Sequence, residues 1–344
     1  MRRLRKRYLI KWLLSLCFIA CCSNDLFAQD PQFSQFFSSP LTLNPALTGN
    51  FNGTTRFVGN IRSQNADYNN AYNTKTASVD FNVLGNRIKQ FDRLSLGVLF
   101  LSDQTGNKVL TNNHLGVSLG YLKALDEEQK SSVSIGFQAS YNNKRFNAAN
   151  ALLEDQITSG GIINISGDNI INNGLSKSAL DLNAGILYQY APTNEHLYYI
   201  GGALFNILQS QKGFGNSTTA VPLRKTIHGG MMSPVGYAGT FHASFHLQQQ
   251  KGFNQLLIGA AYSHYLKEVL NAYVELYAGA WYRSDDTVIP YFGIEWNYWR
   301  LGYTNDINFS HQITAGQLRY SNELSLYYTL NKDRSTARVR CPVF

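Results

Sequence analysis

Apolar residues on every second position, repeated in segment after segment, restrict this chain more than any other feature of its sequence. Val133, Ile135, Phe137, Ala139 and Tyr141 alternate with Ser134, Gly136, Gln138 and Ser140. Successive side chains of a strand point to opposite faces, so this stretch has one greasy face and one small or polar face. The same split runs through Leu115, Val117, Leu119 and Tyr121 against Gly116, Ser118 and Gly120. It recurs in Leu180, Leu182, Ala184, Ile186 and Tyr188 against Asp181, Asn183, Gly185 and Gln189, and in Phe241, Ala243, Phe245 and Leu247 against His242, Ser244, His246 and Gln248. A period of two is the wrong spacing for an amphipathic helix and the right one for a half-buried strand.

Composition narrows the choice among β folds. Only 15% of the 344 residues are charged, against roughly 25% in an ordinary soluble domain, while 13% are aromatic and 28 are Gly. Beyond the N-terminus no apolar run approaches the about 20 residues of a membrane helix, which excludes a helical polytopic protein. Few charges, many aromatics and ten-residue alternation together predict an all-β chain, a transmembrane antiparallel up-and-down β-barrel of about 14 strands with an N-terminal extended arm. The predicted strands are 54–62, 74–84, 92–101, 113–122, 131–141, 179–190, 197–206, 225–233, 238–248, 253–264, 271–282, 287–296, 299–306 and 321–330. An even count returns both termini to one side of the membrane.

Loop lengths point the same way. Connections after odd-numbered strands include the long stretches 63–73, 102–112, 142–178, 207–224 and 307–320, whereas 191–196, 234–237 and 297–298 after even-numbered strands are short. Outer-membrane barrels have short periplasmic turns and longer external loops, an alternation that the alternative fold, a soluble β-sandwich, seldom shows over fourteen strands. Aromatics gather toward strand ends, at Tyr188 and Tyr190, Tyr198 and Tyr199, Tyr262 and Tyr265, Trp281 and Tyr282, and Trp296, Tyr298 and Trp299. Their place at the ends suits girdles at the two membrane–water boundaries.

Residues 1–28 read as a signal peptide, with a basic front at Arg2, Arg3, Arg5, Lys6 and Arg7, an apolar stretch from Leu9 to Cys22, and Leu26-Phe27-Ala28 ahead of the cleavage point. A membrane anchor, for which the apolar stretch is short, and lipidation at Cys21 after Phe18-Ile19-Ala20 are the alternative readings. The formal charge of +8 resides mostly in this segment, and no clustered basic stripe for nucleic acid remains in the body. Cys17, Cys21 and Cys22 leave with it, so Cys341 has no intramolecular partner for a disulfide or a thiolate metal site. Residues 29–53 are then an N-terminal arm or plug, 54–330 the barrel and 331–344 a periplasmic C-terminal tail.

The chain carries no nucleophile elbow, phosphate loop or HExxH helix, so no catalytic residue, cofactor or metal is assigned. Asp181, His242, His246, Glu275, Glu295 and Glu323 fall on the less apolar side of their strands and are expected to face the lumen. His242 and His246 point the same way but about 13 Å apart, too far to share one metal ion. A hydrolase built on lumenal carboxylates is a third functional reading, without a pair of acids that the sequence alone brings together.

Residues 29–64 are the most distinctive stretch: Gln29-Asp30-Pro31-Gln32-Phe33-Ser34-Gln35-Phe36-Phe37, then Ser39-Pro40-Leu41, Leu43-Asn44-Pro45-Ala46 and Gly49, followed by Arg56, Asn60, Arg62 and Gln64. This run resembles the opening of the PorP/SprF family, outer-membrane proteins of the type IX secretion system and gliding machinery of Bacteroidetes. Looser likeness continues through 134–156, Pro222-Leu223-Arg224-Lys225, Ile227-His228-Gly229-Gly230 and the tail ending Arg340-Cys341-Pro342-Val343-Phe344, while the Asn/Ile-rich 157–178 and the short connection near Gln249–Gly252 depart from the family pattern.

The resemblance implies a non-enzymatic barrel in the cell outer membrane that assists secretion or surface attachment of cargo proteins. Its implied partners are outer-membrane lipid, periplasmic ring components and the cargo. Pro31, Pro40 and Pro45 lack amide donors and make the arm poor material for a central strand. Its Gln32, Phe33, Gln35, Phe36, Asn44 and Pro45 are candidate interaction residues, entering the lumen or docking on a periplasmic partner. Asn44-Pro45-Ala46 also resembles the hatch of FadL-type fourteen-stranded barrels, which gives the alternative of a channel for small or hydrophobic solutes.

Overall fold

The computed structural model describes residues 30–64, 72–83, 92–106, 108–147, 157–158, 161–162, 175–210, 220–269, 272–309 and 320–331. The expected signal peptide at 1–28, the Cys21 alternative, residues 153–156 and the tail from 332 onward lie outside the described residues. Fourteen strands close into one antiparallel barrel. They are β1 (Thr55–Gln64), β2 (Tyr72–Val83), β3 (Arg93–Thr105), β4 (Leu110–Ala124), β5 (Ser131–Phe146), β6 (Leu175–Tyr190) and β7 (Leu197–Phe205). The circuit continues with β8 (Arg224–Val235), β9 (Gly239–Gln250), β10 (Phe253–Val269), β11 (Ala272–Arg283), β12 (Thr287–Trp296), β13 (Trp299–Asn308) and β14 (Tyr320–Leu330).

Each strand pairs with its neighbours in sequence, and the ring shuts where β1 meets β14 in register from Thr55↔Leu330 to Gln64↔Ser321. The rim holding Thr55 and Leu330 is called the base here and the opposite rim the top. A two-residue ladder of Ile157–Thr158 with Gly161–Ile162 stands apart from the barrel sheet.

Closure gives every strand of the barrel two paired neighbours, which is the condition for spanning hydrocarbon with strands. The outward positions are apolar and exposed: Phe137 is 60% exposed, Ile186 55% and Phe292 61%. Outward aromatics form two belts. Tyr188, Tyr190, Tyr198, Trp296, Trp299 and Tyr328 lie toward the base, and Tyr141, Tyr282 and Tyr320 toward the top.

Three expectations change. Tyr199 and Trp281 are not girdle residues but buried inward side chains, because of two adjacent aromatics on a strand only one can face lipid. Tyr265 likewise shares the inward side with Ser263, stacked on Tyr273. Loop length segregates less cleanly than the sequence suggested. The long connections 147–174, 206–223 and 309–319 are at the top, yet 106–109, 251–252 and 284–286 there are as short as base turns. Most of 102–112 is strand, since β3 and β4 stay paired out to Thr105↔Leu110.

Finally, the N-terminal stretch is not extended. It coils through a 3-10 turn at Phe36–Ser38, one α-helical turn at Pro40–Leu43 and a second 3-10 turn at Pro45–Leu47. Pro40 and Pro45 stand at the first positions of their turns, where a fixed φ favours helix and a missing N–H costs nothing.

These turns lie inside the barrel, and the hydrophobic core is there with them. Phe36, Phe37, Leu43, Ala46 and Leu47 pack with the inward Leu187, Leu197, Tyr199, Leu257, Trp281, Ile289 and Tyr291. Each large apolar side chain buried this way contributes about 1.5–3 kcal/mol relative to exposure, enough to hold a short segment with little regular structure in place.

Candidate functional site

The interior is the part of the molecule with the densest specific chemistry, and residues 31–53 organise it. They descend from the top, where Gln32 and Ser34 meet β1, β13 and β14, to the base, where Gly53 O accepts from Asn82 Nδ2. Because inward residues are set by the period-two register, each wall side chain that meets this segment is fixed in place by its strand.

At the top, two carboxylates receive the segment. Ser34 N and Gln35 N donate to Glu323 at 2.7 and 3.2 Å, and Ser34 Oγ donates to Asp306 at 2.7 Å. Gln35 is held further by its Nε2 on Glu323 O at 3.1 Å and by Ser325 Oγ donating to its Oε1 at 2.6 Å. Arg62 and Arg283 each reach Asp306 at 2.9 Å, so the buried acids are compensated, and Arg62 also donates to Gln32 O. Charged partners make such bonds about twice as strong as neutral ones.

Lower down, Phe37 lies 4.9 Å from Trp281 and 5.4 Å from Tyr291 between ring centres, while Phe36 stacks on His246 at 5.3 Å. Edge and tilted contacts of this kind add about 0.5–1.5 kcal/mol each beyond area burial. Asn44 is a hub. Its Oδ1 accepts from Ala46 N at 2.8 Å, and its Nδ2 reaches Ile186 O at 3.0 Å and His228 Nε2 at 3.0 Å.

At the base a fully buried ion pair closes the set. Arg56 grips Asp80 in bidentate fashion at 2.9 and 2.6 Å, donates to Leu47 O at 2.9 Å and to Tyr327 OH at 2.9 Å, and lies 4.7 Å over the Phe51 ring. Asp80 takes a third bond from Gly49 N at 2.7 Å, and Gly49 itself holds a positive φ of 71° at a point where a Cβ would overlap Ser95.

The wall further round the ring, at β4, β5 and β6, receives the segment differently. Gly120, Gly136 and Gly185 are register partners on β4, β5 and β6. A Cβ on Gly136 would overlap the backbone of Pro45, one on Gly185 the Asn44 side chain, and one on Gly120 the carbonyl of Thr48. Three strands have thus left a shelf one side chain deep for the segment's second half.

The residues singled out from sequence divide accordingly. Gln32 is half-buried, and Phe33, Gln35, Phe36, Asn44 and Pro45 are buried against the wall. Asp181, His242, His246, Glu275, Glu295 and Glu323 all sit on the inward side of their strands. Glu323 and His246 meet the segment. The other four make bonds to nearby groups: Asp181 accepts from Leu208 N at 3.0 Å, His242 Nε2 is 3.0 Å from Ser263 Oγ, Glu275 accepts from Tyr273 OH, and Glu295 pairs with Arg300 at 2.6 Å. Reasoning on single strands passed over Asp80, Arg283, Asp306 and the glycine shelf. Their signal is visible only in register, as charged or Gly residues at inward positions of neighbouring strands. Among the described residues no group of three or more His, Cys, Asp or Glu is arranged to hold a metal ion.

Comparison with known proteins adds two kinds of likeness. The sequence model of one family, described as type IX secretion system membrane protein PorP/SprF, matches residues 26–328. No curated protein matches the sequence. Among solved structures, the Ralstonia pickettii toluene transporter TbuX superposes with a TM-score of 0.52 at 10% identity, over 86% of this chain and 94% of that one. A deltaS2S3 mutant of the monoaromatic hydrocarbon channel TodX gives 0.51 at 10% identity, over 85% and 94%. At that identity the likeness is one of fold.

Proposed function

The chain belongs to the PorP/SprF family of type IX secretion system membrane proteins, and from that membership we propose that it is a non-enzymatic barrel assisting secretion or surface attachment of cargo proteins. It is an outer-membrane protein that works with the secretion machinery. The observation that carries the reading is the family match across nearly the whole barrel of a chain whose closed wall turns apolar residues outward.

In this reading residues 31–53 are a plug. They fill the space that a solute channel needs open, so the wall and its rims, not a conduit, do the work. The base, with its shorter connections, faces the periplasm and meets the ring components, and the top, with 147–174 and 206–223, faces the cell surface and the cargo. Residues 1–28 act as the signal for export and residues 331–344 as a periplasmic tail.

A passive channel for small or hydrophobic solutes is the second reading, favoured by the shared fold with TbuX. It requires the segment to leave its bonds to Glu323, Asp306 and Asp80. Deleting the gene and measuring cargo in the medium and on the cell surface separates the two. Lost or mislocalised cargo with unchanged solute uptake supports the secretion role. Normal cargo with reduced uptake of hydrophobic solutes overturns it in favour of the channel.

A further inference from the structure

The β1–β14 seam joins the parts of the barrel farthest apart in sequence, and it is among the shorter pairings, ten register positions against sixteen between β5 and β6. Closing it costs the most chain entropy of any strand pair, because the loop it closes is the whole barrel. Residues 32–47 lie across the inner side of this seam. They bond β14 through Ser34 N and Gln35 N to Glu323 and through Gln35 Oε1 to Ser325, and β13 through Ser34 Oγ to Asp306. On the other side of the seam they bond β1, with Arg62 donating to Gln32 O, Asn60 Nδ2 to Ser38 O at 3.0 Å and Arg56 Nη2 to Leu47 O at 2.9 Å. The same arginines also cross the seam directly, Arg56 to Tyr327 OH at 2.9 Å and Arg62 to Ser321 Oγ at 3.1 Å.

We infer that residues 32–47 are a clasp that holds the first and last strands together from within, a role separate from filling the lumen and independent of the secretion reading. The segment enters β1 directly, so it is already in place beside the first strands when the last ones arrive. Glu323 and Asp306 then capture Ser34 and Gln35 as β13 and β14 dock. Filling the lumen would require only bulk, whereas residues 32–38 and Leu47 make directional bonds to both of the strands that must meet, while residues 41–44 are tied to β5 through β8.

The test uses the full chain in a Cys341→Ser background, following the temperature at which the heat-sensitive folded band is lost on gels. Ser34→Ala with Gln35→Ala removes side-chain ties of the clasp and leaves the wall unchanged. It is expected to lower the midpoint by about 3 °C or more. An added disulfide across the seam, Ile61→Cys with Leu324→Cys at an outward register pair, is expected to restore the loss, and reductant to abolish the restoration. Cross-strand partners have the Cα spacing a disulfide needs. The matching disulfide far from the seam, Ile135→Cys with Ile186→Cys, is expected to leave the loss in place. An unchanged midpoint in the double alanine variant, equal restoration by both disulfides, or restoration by neither overturns the clasp. If the double variant does not fold, the same comparison on Ser34→Ala alone decides.

Discussion

Residues 31–53 press against two unlike walls. On the side of β13, β14, β1 and β2 the wall offers charges, with Asp306, Glu323, Arg62, Arg56 and Asp80 gripping backbone and side-chain atoms of the segment. On the side of β4, β5 and β6 it offers glycines, Gly120, Gly136 and Gly185, that let the segment come close, flanked by neutral bonds with Ser118, Gln138 and Gln189. Charges in a dry interior are costly unless paired and correctly placed, so the first wall tolerates only one position of the segment. Glycines impose no direction and set only a distance. The barrel therefore grips its occupant with charges on one wall and makes room for it, with neutral bonds alone, on the other.

Breaking the charged wall should have the largest effect. Asp80→Ala leaves Arg56 buried without its carboxylate and Gly49 N without its acceptor, an expected loss of about 3–5 kcal/mol in urea unfolding from lipid vesicles. Replacing the pair together, Arg56→Met with Asp80→Leu, should recover much of that loss, since a buried pair is worth less than the penalty for orphaning one member. Recovery near zero would mean that the base depends on the bond from Arg56 to Leu47 O more than on the pair.

The glycine wall should rank next. Gly136→Leu forces Pro45 off the shelf at an expected cost of about 1–3 kcal/mol, and protease nicking of residues 31–53 should rise in step with it. A fall in stability with no rise in nicking would show that the strand, not the segment, bears the strain. Asn44→Ala tests the hub beside the shelf and should cost about 1 kcal/mol in the same unfolding assay, because a neutral side-chain bond is worth little net. Smallest of all, Lys130→Ala at the exposed pair with Glu128 on the base should move the midpoint by no more than about 0.5 kcal/mol, which fixes the scale for surface charge.

The family resemblance had already drawn attention to the residues of one wall. Arg56, Asn60 and Arg62 stand in the N-terminal motif, and all three bond the segment that precedes them. Their acidic counterparts were not legible, because Asp80 and Asp306 look like ordinary polar positions until strand register sets them opposite the arginines. The shelf was read only as the polar face of separate strands, in Gly120, Gly136 and Gly185, and its alignment needs the pairings β4–β5 and β5–β6. Leu187 and Trp281 show the converse limit. Alternation assigns them to a face, but whether that face meets water, another side chain or an inserted segment depends on what fills the barrel.

Sequence by itself determined that the chain spans a membrane with strands, because a period of two and scarcity of charge are properties of each segment alone. It determined the even circuit of fourteen strands and, through Pro31, Pro40 and Pro45, that the N-terminal stretch would not be one of them. Only the tertiary structure decided that this stretch coils into helical turns, runs through the lumen from top to base and binds the closing seam. Those outcomes rest on contacts between residues separated by up to 290 positions, such as Gln35 with Ser325, and no local pattern encodes a distance across a closed ring.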